Sequence, residues 1–94
     1  MSRREIDDVL LSKARVKILK KLLSKGEMNI SQIIDETRLN YNTVVKHLEY
    51  LTNAGLVEEL RLGRARVFRP NWLNPKVRVL EALLNELSLL EEGV

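Results

Sequence analysis

The sequence predicts a mainly α fold with one small β-hairpin, and three observations carry that prediction. Apolar residues recur at helical spacing through most of residues 3–54, "LRLGRARVF" alternates around a Gly-Arg pair as two short strands do, and residues 73–94 return to helical spacing with two apolar stripes.

A first helix is expected at about 3–11, with Ile6, Val9 and Leu10 inward. Ser12 can cap "KARVKILKKLLSKG", where Val16, Ile18, Leu19, Leu22 and Leu23 keep near-helical spacing, and Gly26 supplies the left-handed residue that ends the helix at about 25. After a short strand at Met28–Ile30, Ser31 can cap "SQIIDET", a helix of about two turns with Ile33 and Ile34 inward. "RLN" leaves room only for a tight turn. Asn40 can then cap a helix at about 41–54, which Gly55 closes. Two helices joined by so short a turn, the second longer than the first, form a helix-turn-helix.

On the second of these helices Val44, Leu48 and Leu51 fall on one side, which fixes its buried face. Opposite them lie Asn42, Thr43, Lys46, Tyr50 and Asn53. These are polar groups able to donate to phosphates and base edges, and they begin in the first turn, the part of a recognition helix that enters the major groove. With Asn40 and Tyr41 at the helix entry, they are candidate DNA-binding residues; the competing reading is a merely solvated face. His47 lies on the flank, either as a phosphate ligand or as a partly buried structural histidine. Glu49, at the edge, would be repelled by phosphates.

"LVEELRLGRARVFRPN" reads as two strands about a type II′ turn with Gly63 first. That turn sets Leu62 against Ala65, Arg61 against Arg66, Leu60 against Val67 and Glu58 against Arg69. One face is then mostly apolar, and the other carries Arg61 and Arg66 side by side, an arrangement that costs stability. With Arg64 at the tip, three arginines crowd one end of a thin hairpin, which suits a wing that touches phosphates or the minor groove. Charges on a hairpin edge also guard against aggregation, the bland alternative. The fold class is therefore a winged helix-turn-helix followed by a C-terminal helix, with residues 1–72 as a DNA-binding domain and 73–94 as a dimerisation element.

That last helix enters at Asn74-Pro75, with Pro at the first helical position. Leu73, Val77, Leu80, Leu84 and Leu87 repeat by four and three, and Val79, Leu83 and Leu90 make a second stripe. One stripe can pack on the chain's own core, and the other calls for a partner, most economically a second copy. Val77, Leu80, Leu83, Leu84, Leu87 and Leu90 are the candidate dimerisation residues. The helix charges oppose its dipole, with Lys76 and Arg78 at the start and Glu86, Glu91 and Glu92 at the finish, so antiparallel pairing is expected. A two-fold dimer would set two recognition helices roughly 34 Å apart and favour inverted-repeat sites.

"LLSKARVKILKKLL", "ISQIIDETRLNYNTVVKHLEYLTNAGLV" and "LGRARVFRPN", in this order over roughly residues 10–70, resemble the winged helix-turn-helix repressors of the ArsR type and related archaeal DNA-binding regulators. The most specific words are "KHLEYLTNAGLV" and "GRARVF". The resemblance implies that Asn42, Thr43 and Lys46 read DNA and that Arg64 and Arg66 grip the backbone. Metal-sensing members place a cysteine pair in the helix matching "SQIIDET", and here there is no cysteine. Many members have Ser where this chain has Val45, so that position offers no hydroxyl for a backbone contact.

Composition narrows the function further. Without cysteine and with one histidine, thiolate metal sites, thiol nucleophiles and multi-histidine zinc sites are excluded, and no phosphate loop or catalytic carboxylate pair stands out. No enzyme and no cofactor is expected. All sixteen lysines and arginines and nine of the thirteen acids lie in residues 1–80, leaving four acids and no base in 81–94. No apolar run could span a membrane and the N-terminus fits no export signal, so a cytoplasmic, nucleoid-associated protein is expected. The expected partners are double-stranded DNA and a second copy of the chain; no pocket for a small-molecule effector is visible. The competing functions are a sequence-tolerant architectural DNA-binding protein and a winged-helix protein-interaction module, which would leave Arg61, Arg64 and Arg66 without a role.

Overall fold

Helices α1 (Arg3–Leu11) and α2 (Lys13–Lys25) open the computed structural model, which describes residues 3–92 and the side chains of residues 6–90. Ser12 alone separates them. Its hydroxyl accepts the Arg15 N–H at 3.2 Å and so caps α2, and Gly26, at φ 90°, closes the helix with its N–H donated to the Leu22 carbonyl at 2.8 Å.

Strand β1 (Met28–Asn29) pairs with the second strand of the hairpin, Met28 opposite Phe68 and Asn29 opposite Val67. The short strand expected at Met28–Ile30 is thus present, one residue shorter, and joins the hairpin as the third strand of a single sheet, a pairing that two residues are too few to announce in the sequence. Helix α3 (Ile30–Thr37) starts two residues earlier than a cap at Ser31 suggests. Its cap is Asn29, whose Oδ1 accepts the Gln32 N–H at 2.8 Å while Gln32 Oε1 accepts the Asn29 N–H at 2.9 Å, a reciprocal capping box. Arg38 ends α3 in the left-handed region, φ 63°, steadied by its N–H to the Ile34 carbonyl at 2.8 Å.

Helix α4 (Tyr41–Asn53) closes in a Schellman motif: the Gly55 N–H reaches the Thr52 carbonyl and the Leu56 N–H the Leu51 carbonyl, both at 3.0 Å, with Gly55 at φ 76°. Strands β2 (Val57–Leu62) and β3 (Ala65–Pro70) keep the predicted register, Arg61 opposite Arg66 included. Gly63 has φ 62° and Arg64 is not left-handed, as a type II′ turn requires.

The hairpin's faces are a surprise. Alternation sets Val57, Glu59, Arg61, Arg66, Phe68 and Pro70 on one side, and Val57, Phe68 and Pro70 are buried. The arginine-bearing face is therefore the one that runs into the core, and the mostly apolar face points outward, leaving Leu62 62% exposed. Which face turns inward is decided by the helices packed behind the sheet, not by the hairpin's own apolarity.

Ile18, Leu19 and Leu22 of α2, Ile33 of α3, Val44, Leu48 and Leu51 of α4, and Phe68 form one buried cluster. Helix α5 (Pro75–Glu92) adds Val77, Leu80 and Leu84 to that same cluster. This corrects the expected dimerisation set: these three side chains are taken up within the chain, Leu83 is half-buried, and Leu87 and Leu90 are exposed together with Val79. Leu73, at the head of the expected seam, is 92% exposed. The basic start of α5 is eased locally, Arg78 pairing with Glu81 at 3.6 Å and lying 4.6 Å over the Trp72 ring. The side chains of Glu91 and Glu92, part of the expected acidic finish, lie outside the described residues. Asn71 and Asn74 both donate their side-chain N–H to the Gly55 carbonyl at 2.9 Å, tying the end of α4 to the start of α5. Among the described residues no helix is long and apolar enough to cross a membrane.

Candidate nucleic-acid interface

Val44, Leu48 and Leu51 are buried as the helical spacing predicts, so α4 turns the opposite side outward. Tyr41, Asn42 and Lys46 are exposed there and Thr43 is half-buried. Asn40 is exposed too, but its side-chain oxygen accepts the Thr43 N–H at 2.8 Å and is committed to the cap. The outward strip thus offers a phenol, an amide and an ammonium within the first two turns.

Tyr50, expected in the strip, and His47, expected on its flank either as a phosphate ligand or as a partly buried structural histidine, are turned against Arg15 of α2. Arg15 Nε–H donates to His47 Nδ1 at 3.3 Å, Nη1 donates to the Asp8 carbonyl at 2.7 Å, and the guanidinium lies 3.6 Å from the Tyr50 ring centroid. His47 is only 8% exposed. Burial, and then the nearby charges of Arg15 and Lys46, hold its pKa below the ordinary histidine value, so the neutral ring accepts from Arg15. The imidazole is an internal prop for α4 and not an outward ligand. Arg15 itself was not singled out from the sequence. Its signal is its spacing: it precedes buried Leu19 by four and buried Leu22 by seven, so a charged side chain sits on a core-facing row and must find a partner there.

On the wing, Glu59 resolves the like-charge pair. Its carboxylate accepts from Arg66 Nε at 2.8 Å and Nη2 at 3.2 Å, and Arg61 Nε approaches to 3.3 Å. The Arg66 hydrogen bond, with the charges of Arg66 and Arg61, holds the Glu59 carboxyl below its ordinary range, and the same pairing raises Arg66. Glu49 of α4 lies close enough for its charge to act on Arg66, so the inner face of the wing stands beside α4. Arg64, at the turn, is exposed and has no ion-pair partner among the described residues. A shallow groove of about 310 Å³ runs between the start of α3 and the wing, bordered by Asn29, Ser31, Arg64 and Arg66.

Chemically, this surface can hold anions and donate to base edges. Among the described residues no group of three or more histidine, cysteine or acidic side chains is placed to hold a metal ion.

Comparison with known proteins agrees with this geometry. Residues 12–59 match the family described as bacterial regulatory protein, arsR family. The fold is shared with the homodimeric winged helix-turn-helix DNA-binding domain (fragment 1–100) of Mb0332 from Mycobacterium bovis, a possible ArsR-family transcriptional regulator: 25% identity, 97% of this chain and 82% of that one, TM-score 0.77. A crystal structure of a possible transcriptional regulatory protein (fragment 1–100) from Mycobacterium bovis is 29% identical over 90% of this chain and 88% of that one, with TM-score 0.72. Reduced HlyU from Vibrio cholerae N16961 has the same fold at 20% identity, over 88% of this chain and 84% of that one, with TM-score 0.76. Comparison with curated proteins gives no match.

Proposed function

The chain belongs to the arsR family of bacterial regulatory proteins, and on that premise we propose that it is a sequence-specific regulator of transcription that binds double-stranded DNA as a homodimer. Helix α4 enters the major groove. Asn42 reads base edges, Tyr41, Thr43 and Lys46 work beside it, and Arg64 at the wing tip grips the backbone. Arg61 and Arg66, shared with Glu59, position the wing and present a smaller net charge. His47 and Tyr50 hold α4 through Arg15. Residues 1–72 bind DNA and residues 73–94 pair two copies, through the part of α5 that the chain leaves exposed. The protein works at the nucleoid and has no chemistry of its own.

One observation supports this reading above the rest: α4 buries Val44, Leu48 and Leu51 and turns Tyr41, Asn42 and Lys46 outward, while Arg64 stands exposed at the wing tip. The test is competition of a selected duplex against random duplex in fluorescence anisotropy, at several salt concentrations. A regulator favours its site by roughly 10³-fold or more, and log K falls steeply with log salt as phosphates are neutralised. Equal affinity for every duplex supports an architectural protein instead. Affinity that is indifferent to salt supports a protein-interaction module.

A further inference from the structure

Helix α2 has a second basic face that DNA docking leaves unused. Lys13, Lys17 and Lys20 lie roughly on the opposite side of the helix from Arg15, the residue that props α4, so they point away from the proposed DNA surface. All three are exposed and, unlike Lys21 and Lys25, which pair with Glu36 at 3.4 and 4.0 Å, have no ion-pair partner among the described residues. They form one rim of a groove of about 420 Å³ along the seam between α2 and α5. Its floor is apolar: Leu10, Val16, Leu84 and Leu87. The groove continues past Lys20 into a neighbouring hollow of about 340 Å³, where Glu81 is the first acid met.

We propose that this groove is a binding site for a small amphiphilic carboxylate, its hydrocarbon body on the leucine and valine floor and its head group at the Lys13–Lys17 end. The volume lies in the range of small-molecule sites, about 300–1,000 Å³. Charge complementarity sets the class of ligand. Among the described residues that line this stretch the charged groups are three ammonium groups, which favour an anion, and Glu81 at the far end keeps the head group away from it. A neutral hydrocarbon would leave the lysines without a counter-charge, and a cation would meet three like charges. The stripe through which two copies would pair, exposed Val79 and Leu90 with half-buried Leu83 between them, lies roughly a third of a turn round α5 from Leu84, so the groove and that stripe are distinct.

The experiment titrates the full chain with decanoate, below its micelle concentration, and follows methyl NMR signals and heat of binding; 1-decanol and decyltrimethylammonium serve as neutral and cationic counterparts. Saturable binding of one decanoate per chain is expected, with shifts at Leu10, Val16, Leu84 and Leu87 and affinity at least tenfold above either counterpart. Replacing Lys13, Lys17 and Lys20 together by glutamine, exposed positions whose change leaves the core intact, should weaken decanoate at least tenfold and leave decanol unaffected. Equal affinity for all three amphiphiles, shifts elsewhere on the chain, or wild-type affinity in the triple variant would overturn the proposal. It also falls if decanoate leaves these methyls unmoved while the triple variant converts a dimer to monomers, since the groove then belongs to a second copy.

Discussion

Arg15 and His47, thirty-two positions apart, are joined by a 3.3 Å hydrogen bond that fixes α4 against α2 from behind. The same guanidinium covers Tyr50 and satisfies the Asp8 carbonyl, so a single side chain ties α4 to two other parts of the chain. Arg15→Ala should therefore destabilise the fold by about 1–3 kcal/mol, through an unpaired acceptor and a lost cation–aromatic contact. Urea unfolding would show a lower midpoint at unchanged slope. A loss below about 0.5 kcal/mol, the range of an ordinary surface change, would mean that the cluster is not a prop.

The same contact predicts a pH dependence. The folded-state pKa of His47 is lowered, so just below about 6.5, the ordinary value, the unfolded chain binds a proton that the folded chain refuses. Stability from this group is complete above that pH, declines as pH falls through it, and levels off once the folded imidazole also protonates. His47→Gln should flatten that part of the stability profile between about pH 7 and 5 relative to wild type. An identical slope in both proteins would remove His47 as the cause.

Asn42 and Arg64 should separate reading from gripping. Arg64→Ala should weaken every duplex and reduce the salt slope by about one, the loss of one phosphate contact. Asn42→Ala should instead change which duplexes are preferred, by about 1–3 kcal/mol at one position. Binding measured against a panel of single-base variants distinguishes the two; matching profiles for both substitutions would contradict the division.

Glu59 is expected to restrain the wing's affinity. Glu59→Gln removes the carboxylate that Arg61 and Arg66 share, so affinity for random duplex should rise and the salt slope should steepen by about one to two. Stability should drop by about 0.5–1 kcal/mol as the facing arginines lose their counter-charge. Weaker binding to random duplex would show that Glu59 orients the arginines for DNA and does not restrain them.

Pairing of two copies should depend on Val79 and Leu90, 55% and 66% exposed, and not on the buried Leu80. Val79→Glu with Leu90→Glu should give a folded monomer in sedimentation at micromolar concentration, with helical content retained. A dimer that survives both changes would place the contact elsewhere.

The helix order, the caps at Ser12 and Asn40 and the hairpin register were legible because each depends on a local rule: a side chain that accepts from a first-turn N–H, or a two-residue loop with glycine first. What escaped depends on neighbours distant in sequence. Periodicity gives α5 two stripes, but only the packing of α2 decides that Val77, Leu80 and Leu84 turn inward. Alternation gives the hairpin two faces, but the helices behind it choose the one with Phe68. Arg15 and Glu59 were missed for the same reason, since a charged residue shows its role only when its partner is in place.

The two asparagine amides that meet on the Gly55 carbonyl have a consequence for how the protein ages. Deamidation would replace an N–H donor by a carboxylate facing a carbonyl oxygen, turning a clasp into a repulsion and slackening the lever between α5 and the DNA-reading helix. Asn74 precedes Pro75, whose missing N–H denies the usual ring-closing route to that damage, whereas Asn71 precedes Trp72 and has no such shield. Wear at one amide would therefore blur the span between paired helices long before it unfolded the chain.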